Sequence, residues 1–182
     1  MRYALSHKTS STVAFGKIST KFGKLHLGLS EKGIALICFG RSFRTHLGRL
    51  KRRFPQIETQ PRYFSPARRK LLRLAQQAIS SYGKGRGNAF GRLPLDVDGT
   101  PFQCRVWQSI SKIPWGKTVS YRQLAQRSGK PKALRAAASA CGDNRLTLLI
   151  PCHRVVGSNG SLGGYAGGLT IKKKLLCYEA VV

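Results

Sequence analysis

The sequence predicts an α/β chain of the α+β kind, built in two parts. Residues 1–91 read as a small strand-rich domain with helices, and residues 92–182 as a mainly helical domain containing a helix-turn-helix. Three observations predict this. Short alternating apolar runs fill residues 12–40, a Gly-rich stretch (YGKGRGNAFG, 82–91) separates two textures, and a series of capped helices follows it.

In order along the chain, VAFGKIST, GKLHLGLS and KGIALICFG are strands of a meander, divided by Gly, Lys and Ser-Glu-Lys turns. Residues 41–53 carry Phe43, Leu47 and Leu50 at near-helical spacing and predict a short basic helix, while Pro55 and Pro61 make 54–64 a loop. Ser65 is a candidate N-cap with Pro66 at the first helical position, and Leu71, Leu72, Ala75, Ala78 and Ile79 form the apolar stripe of the helix that follows. After the Gly-rich stretch, LPLDV (93–97) reads as a short strand. Thr100 and Gln103 form a capping box opening a helix that runs to about Ile113, and Ser120 and Gln123 form a second, opening a helix over 121–128. A Gly129-Lys130-Pro131 turn leads to a small-residue helix over 132–141. LTLLI (146–150) has the pattern of a buried strand, and residues 170–181 read as a final helix capped by Thr170.

Composition narrows the function. The 182 residues include 33 Lys plus Arg against 6 Asp plus Glu, a formal charge of +27. That imbalance points to a polyanionic partner, nucleic acid first and an anionic membrane surface second. It is uneven: residues 1–92 hold 20 Lys plus Arg against 2 acids, a net +18, and residues 93–182 hold 13 against 4, a net +9. The 8 Phe, 6 Tyr and 2 Trp, spread along the chain, set it apart from a disordered polycation. No apolar run approaches the ~18–20 residues of a membrane span, and the opening MRYALSHKTSSTVAF lacks the apolar segment of a secretory signal. A soluble, cytoplasmic protein is expected. Five cysteines (Cys38, Cys104, Cys141, Cys152, Cys177) without a Cys-x-x-Cys pair argue against a disulfide scaffold or a zinc ribbon.

The helices over 121–128 and 132–141, joined by a short Gly-containing turn, have the shape of a helix-turn-helix, although any two packed helices would share that outline. The second is small-faced (Ala133, Ala136, Ala137, Ala138, Ser139, Ala140) and carries Lys132 and Arg135, which suits close approach to a DNA groove. Cys152 lies between Pro151, His153 and Arg154. Nearby cations lower a thiol pKa, so Cys152 is a candidate nucleophile. The other four cysteines read as buried structural residues. Neighbours in an extended chain point to opposite sides, so a kink or a water must couple Cys152 to His153. Glu179 falls on the edge of the last helix's apolar face, with Ile171 and Leu175 at i−8 and i−4. It is either a solvated C-terminal carboxylate or one that orients a histidine.

The run IPCHRVVGSNGSLGGYAGGL (150–169) resembles the active-site region of O6-alkylguanine-DNA alkyltransferases, the methylated-DNA–protein-cysteine methyltransferases. The resemblance extends upstream through TPFQCRVWQSISKIPWGKTVSYRQLA, Arg135 and Asn144 and downstream to Glu179, covering about residues 93–180. It implies an alkyl acceptor at Cys152, a base at His153 acting through a bound water, and a partner at Glu179 that orients His153. Asn144 is implied as a hinge between recognition helix and active-site loop. Tyr121 is implied to crowd the DNA phosphate and donate a hydrogen bond to the extruded guanine. Arg135 is implied as a finger filling the vacated stack, with Lys132, Ala133 and Ala136 beside it on the DNA face. Val155, Gly163, Gly164, Tyr165 and Ala166 are implied as the guanine pocket. The implied reaction is a single irreversible transfer of a methyl or other alkyl group from O6-alkylguanine, and from O4-alkylthymine, in double-stranded DNA bound through its minor groove. The implied protein is a monomer that needs no metal or organic cofactor.

Arg145 stands where the family often has Pro, Thr147 where some relatives have Pro, Lys173 where many carry an acid, and Ala166 where some have Ser. These departures bear on alkyl size rather than on the reaction. Some relatives hold zinc in the N-terminal domain. Here Cys38, His7, His26 and His46 lack ligand spacing, so no metal is expected. Two competing functions are a non-catalytic helix-turn-helix protein that binds lesions or regulates transcription, and a Cys-His hydrolase.

Overall fold

A computed structural model describes residues 11–87, 89–91 and 93–181, which divide into two units, one ending at Asp98 and the other starting at Gly99. In the first unit β1 (Thr12–Thr20), β2 (Gly23–Leu29) and β3 (Ile34–Phe39) form the expected antiparallel meander. A fourth strand, β4 (Gln56–Glu58), pairs parallel to β1, giving the order β3-β2-β1-β4. It lies inside the segment expected to be loop, which also holds a 3-10 turn at Pro61–Tyr63.

Two helices cover the sheet. α1 (Gly40–Arg53) packs on β2 and β3, and α2 (Pro66–Gly83) on β1 and β2. The strand period of two explains how one sheet serves both. Phe15 meets Phe43 of α1 edge-to-face at 5.7 Å, whereas a Cβ on the next residue, Gly16, would meet Leu72 of α2. β3, which packs against α1 and pairs with β2, is buried at every position. Ser65 caps α2 as expected, its side chain accepting from the Arg68 N–H.

The segment 93–97 belongs to this first unit, so the boundary lies at 98/99 rather than 91/92. It is a single bridge, not a strand. Ile34 donates its N–H to the Pro94 carbonyl (2.9 Å), and Asp96 donates to the Ile34 carbonyl (3.0 Å). Gly33 permits this approach, since a Cβ there would lie 2.5 Å from the Pro94 oxygen.

The second unit is helical. α3 (Pro101–Ser111) and α4 (Tyr121–Arg127) each open on the expected capping box, with both reciprocal hydrogen bonds formed. α5 (Leu134–Gly142) starts two residues later than expected, leaving Lys132 and Ala133 in the preceding turn. α6 (Leu169–Val181) starts one residue earlier, so Thr170 lies inside it rather than capping it. Val106, Ile110, Leu124, Ala137, Ala140 and Leu175 are buried, and the Trp107 indole donates to the Ala140 carbonyl (2.8 Å), tying α3 to α5. A short parallel pair, β5 (Val119–Ser120) with β6 (Val155–Val156), sets the first turn of α4 beside the chain that follows Cys152. Among the described residues no helix is long and apolar enough to cross a membrane.

Candidate active site

The run 146–150 is buried throughout, as its apolar sequence demands, but it is a turn and not a strand. Ile150 donates back to the Leu146 carbonyl (2.8 Å), and Leu148 takes a positive φ of 73°, a conformation uncommon for any residue but glycine. Asn144 holds the turn from within. Its Oδ1 accepts from the Leu146 N–H (2.9 Å) and its Nδ2 donates to the Ile150 carbonyl (2.7 Å). The turn delivers Cys152 into a one-turn 3-10 helix, Cys152–Arg154. This is the kink the chain needs for consecutive residues 152–154 to be buried together.

His153 is fully buried, and its Nε2 lies 2.9 Å from Glu179 Oε1. Arg154 grips the same carboxylate at two points, Nε to Oε2 at 2.7 Å and Nη2 to Oε1 at 2.9 Å, while its Nη1 donates to the Ile113 carbonyl. Glu179 is therefore an orienting carboxylate and not a solvated terminus. Burial pushes its carboxyl up, but the hydrogen bonds from His153 and Arg154 prevail and hold it at about 2. Burial pushes His153 down from 6.5, against the upward pull of Glu179, so the imidazole is neutral at physiological pH. A neutral imidazole that donates Nε2–H to Glu179 leaves Nδ1 as a basic lone pair, and Nδ1 has no hydrogen-bond partner among the described residues.

Cys152 is held below the ordinary thiol value of 9.0. A hydrogen bond from the Cys141 thiol is the main cause. Burial opposes it, while the Asn144 amide and the Lys172 ammonium add to it. The cation acting on the thiol is thus Lys172 of α6; Arg154, two residues on in the sequence, is spent on Glu179. Lys172 is fully buried, and its Nζ donates to the carbonyls of Val155 (2.6 Å), Leu162 and Gly164 (3.3 Å). Sequence reasoning passed over Lys172, and also Cys141, which is buried as expected but lies against Cys152. A shift of one residue in helical phase would have found Lys172, because Lys172, Leu175 and Glu179 form the buried face of α6 where Ile171 was expected. Cys177, expected to be buried, is exposed; Cys38 and Cys104 are buried as expected.

Tyr121 begins α4, and its phenol donates weakly to the Gly164 carbonyl (3.4 Å). Burial, with the neighbouring thiols Cys141 and Cys152, pushes its pKa up to about 12, so it stays protonated and able to donate. Gly163 packs on the Tyr121 ring with φ +61°, where a Cβ would lie 2.8 Å from Cε2. The loop after β6 thus brings Gly163 and Gly164 together with Tyr121, Lys172 and buried Val155, while Tyr165 is half-buried and Ala166 exposed. On α5 and its approach, Lys132, Arg135 and Ala136 are exposed and Ala133 half-buried, beside buried Ala137 and Ala140. The exposed surface of this helix carries Arg135 and small residues, with Leu134 exposed in its first turn. Among the described residues no group of three or more His, Cys, Asp or Glu side chains is placed to hold a metal ion. His26 stacks on Phe43 at 4.1 Å, and His7 lies outside the described residues.

Comparisons with known proteins converge on one family. Residues 101–181 match the model of the 6-O-methylguanine DNA methyltransferase DNA-binding domain. The bifunctional transcriptional activator/DNA repair enzyme Ada of Escherichia coli is 40% identical over 168 residues, covering 92% of this chain and 46% of that protein. The chain thus spans about half the length of this relative. A probable methylated-DNA–protein-cysteine methyltransferase of Acanthamoeba polyphaga mimivirus is 44% identical over 110 residues, covering 60% of this chain and 73% of its own. Among solved structures, Mycobacterium tuberculosis OGT in complex with DNA superposes with a TM-score of 0.76 at 30% identity, covering 93% of this chain and 94% of that one.

Proposed function

Because the chain belongs to the methylated-DNA–protein-cysteine methyltransferase family, we propose that it repairs DNA by moving the alkyl group of O6-alkylguanine, and of O4-alkylthymine, irreversibly onto its own Cys152. The observation that carries this reading is the buried relay itself. A thiol polarised by Cys141, Asn144 and Lys172 lies next in sequence to a neutral His153 whose Nε2 is engaged by Glu179. The thiol loses its proton to His153 Nδ1 through a water. The thiolate attacks the alkyl carbon in line, and the bond to the guanine oxygen breaks. Negative charge then grows on the leaving base, where the protonated Tyr121 phenol supplies a hydrogen bond. The thioether that results has no group beside it able to remove the alkyl carbon, so each molecule acts once.

The base must leave the stack to reach a buried sulfur. In this reading the exposed small face of α5 enters the minor groove at Lys132, Ala133 and Ala136, and Arg135 fills the gap left by the flipped nucleotide. Val155, Gly163, Gly164, Tyr165 and Ala166 line the base pocket, and Asn144 links α5 to the Cys152 turn. The protein works as a monomer in the cytoplasm, where a single-use thiol stays reduced. The cationic first unit adds non-specific affinity for the phosphate backbone. The non-catalytic alternative gives no role to a polarised Cys152.

The test is an intact mass after incubation with duplex DNA containing O6-methylguanine. One methyl on Cys152, in stoichiometric yield, is expected. Turnover beyond one per molecule, or no gain, would refute the reading.

A further inference from the structure

Cys141 has no part in the family-implied chemistry, yet it lies in the last turn of α5 with its Sγ donating to the Cys152 carbonyl oxygen at 3.9 Å, close enough for each thiol to bear on the protonation of the other. Both cysteines are buried, and the other three are placed differently: Cys38 lies in the first unit, Cys104 is buried on α3 with its thiol donating to the Gly99 carbonyl (3.6 Å), and Cys177 is exposed. The helix end carrying Cys141 is anchored by the Trp107 bond to Ala140, and the Cys152 turn by the Asn144 bond to Ile150. The pair is therefore held in place rather than met by chance.

We propose that Cys141 is a resolving thiol: when a hydroperoxide oxidises Cys152, Cys141 closes a reversible Cys141–Cys152 disulfide that protects the nucleophile. The proposal rests on Cys152 being the reactive thiol of the function above. A space at Cys152 that admits an alkyl carbon also admits a small peroxide. The Cys152 thiolate attacks one peroxide oxygen, the O–O bond breaks, and the leaving hydroxide takes a proton to become water. Cys152 is now a sulfenic acid. The Cys141 thiol loses its proton, its sulfur attacks the Cys152 sulfur, and the hydroxyl departs with that proton as a second water. The sum is two thiols oxidised by two electrons and one peroxide reduced to two waters.

The surroundings suit this order of events. In the reduced pair the interaction with the Cys152 thiol, burial and the charge on Cys152 together keep Cys141 protonated, well above its ordinary value. Formation of the uncharged sulfenic acid removes the part of that restraint due to the Cys152 charge, while the Lys172 ammonium still favours a Cys141 thiolate. The two neighbouring sulfurs then close to a bond of about 2.0 Å. Without Cys141, the sulfenic acid is exposed to a second peroxide and goes on to the irreversible sulfinic acid. For a protein whose only nucleophile is consumed in one event, a disulfide preserves an unused molecule.

The experiment treats the full reduced chain with hydrogen peroxide, blocks remaining thiols under denaturing conditions and maps tryptic peptides. The expected result is the loss of two hydrogens and a link between the peptides bearing Cys141 and Cys152. Methyl transfer is lost with it and returns on adding dithiothreitol. In Cys141→Ser, and independently in Cys141→Ala, transfer measured against each variant's own untreated rate is lost and does not return, with sulfinic acid at Cys152. Sulfinic acid at Cys152 of the unaltered chain with Cys141 free, a link through Cys177, no oxidation at all, or equal recovery in the variants would overturn the proposal. An untreated protein that transfers no methyl would instead refute the functional reading, while the peptide map still decides the disulfide.

Discussion

Glu179→Gln is the perturbation from which most can be worked out. The carboxylate serves two buried donors at once, His153 through Oε1 and Arg154 through both oxygens. The substituted amide has one acceptor oxygen. Arg154 cannot lose its charge and takes that oxygen, which turns the amide NH2 toward His153 Nε2. The imidazole must then accept at Nε2 and carry its proton on Nδ1, the wrong tautomer for a base. A comparable tautomer error at a buried histidine costs about 10⁴ in rate, and general-base catalysis as a whole about 10²–10⁴. We expect transfer from O6-methylguanine duplex to slow by roughly 10²-fold or more, with DNA affinity nearly unchanged. Stability gives a second readout. A carboxyl held at about 2 against an ordinary 4.5, at about 1.4 kcal/mol per pH unit, is worth about 3 kcal/mol. Because the folded value is the lower one, that contribution is complete above pH 4.5 and is lost as pH falls toward 2. Urea denaturation at neutral pH should therefore find the variant weaker by about 3 kcal/mol, with the gap shrinking on acidification. Single-turnover rates equal to the parent's would remove Glu179 from the mechanism. A gap independent of pH would refute the electrostatic account of its burial.

Four other outcomes follow from the same geometry. Lys172→Met should strip donors from three carbonyls at a cost of about 1–3 kcal/mol for each one left buried and unsatisfied. It should also raise the Cys152 pKa, seen as a shift of the pH–rate profile for transfer to higher pH. Gly163→Ala places a Cβ against the Tyr121 ring at a positive φ, costing about 1–2 kcal/mol in thermal denaturation and slowing transfer more than it weakens DNA binding. Arg135→Ala should impair transfer from duplex DNA more than transfer from free benzylated guanine, and equal losses would argue against a base-flipping role. Reversing exposed charges on α1, such as Arg44 and Arg49, should flatten the logarithmic salt dependence of DNA binding by about 0.9 for each phosphate no longer neutralised and leave the saturated transfer rate unchanged.

What could be read from the sequence was what is local. The boxes Thr100/Gln103 and Ser120/Gln123 fix two helix starts because each is closed by residues three apart. β4 was invisible because three residues with no alternation become a strand only by pairing with β1, more than 40 positions earlier. In LTLLI the burial was legible and the backbone was not. A run of apolar residues says that a segment is inside, and the side chain of Asn144 decides that it turns. The same distinction governs α6, where the carboxylate at 179 was visible as an anomaly on an apolar face. Lys172, one of three consecutive lysines, differs from Lys173 and Lys174 only by helical phase. At the site, Cys152, His153 and Glu179 stand out in the sequence because their chemistry is unusual in its surroundings. Cys141 does not, because an Ala-rich helix is ordinary company for a buried thiol.

The positive charge that dominates the composition and the charge that acts on the Cys152 thiol are therefore separate devices. Surface cations act on one another and on solution partners through a medium that screens them within about 8–10 Å. None of those on α1 is among the groups that set the protonation of the Cys152 thiol. That is done by neutral hydrogen-bond donors on Cys141 and Asn144 and by Lys172, whose contact with three carbonyls keeps it from solvent. The nearest cation in sequence, Arg154, is neutralised by Glu179 and serves to orient His153 instead. A substitution that changes net charge should thus move encounter with DNA, and one that changes the donors around Cys152 should move chemistry. Arg41, Arg44 and Arg49 belong to the first set and Cys141, Asn144 and Lys172 to the second, with no member in common. That separation leaves surface charge free to change without disturbing the reaction.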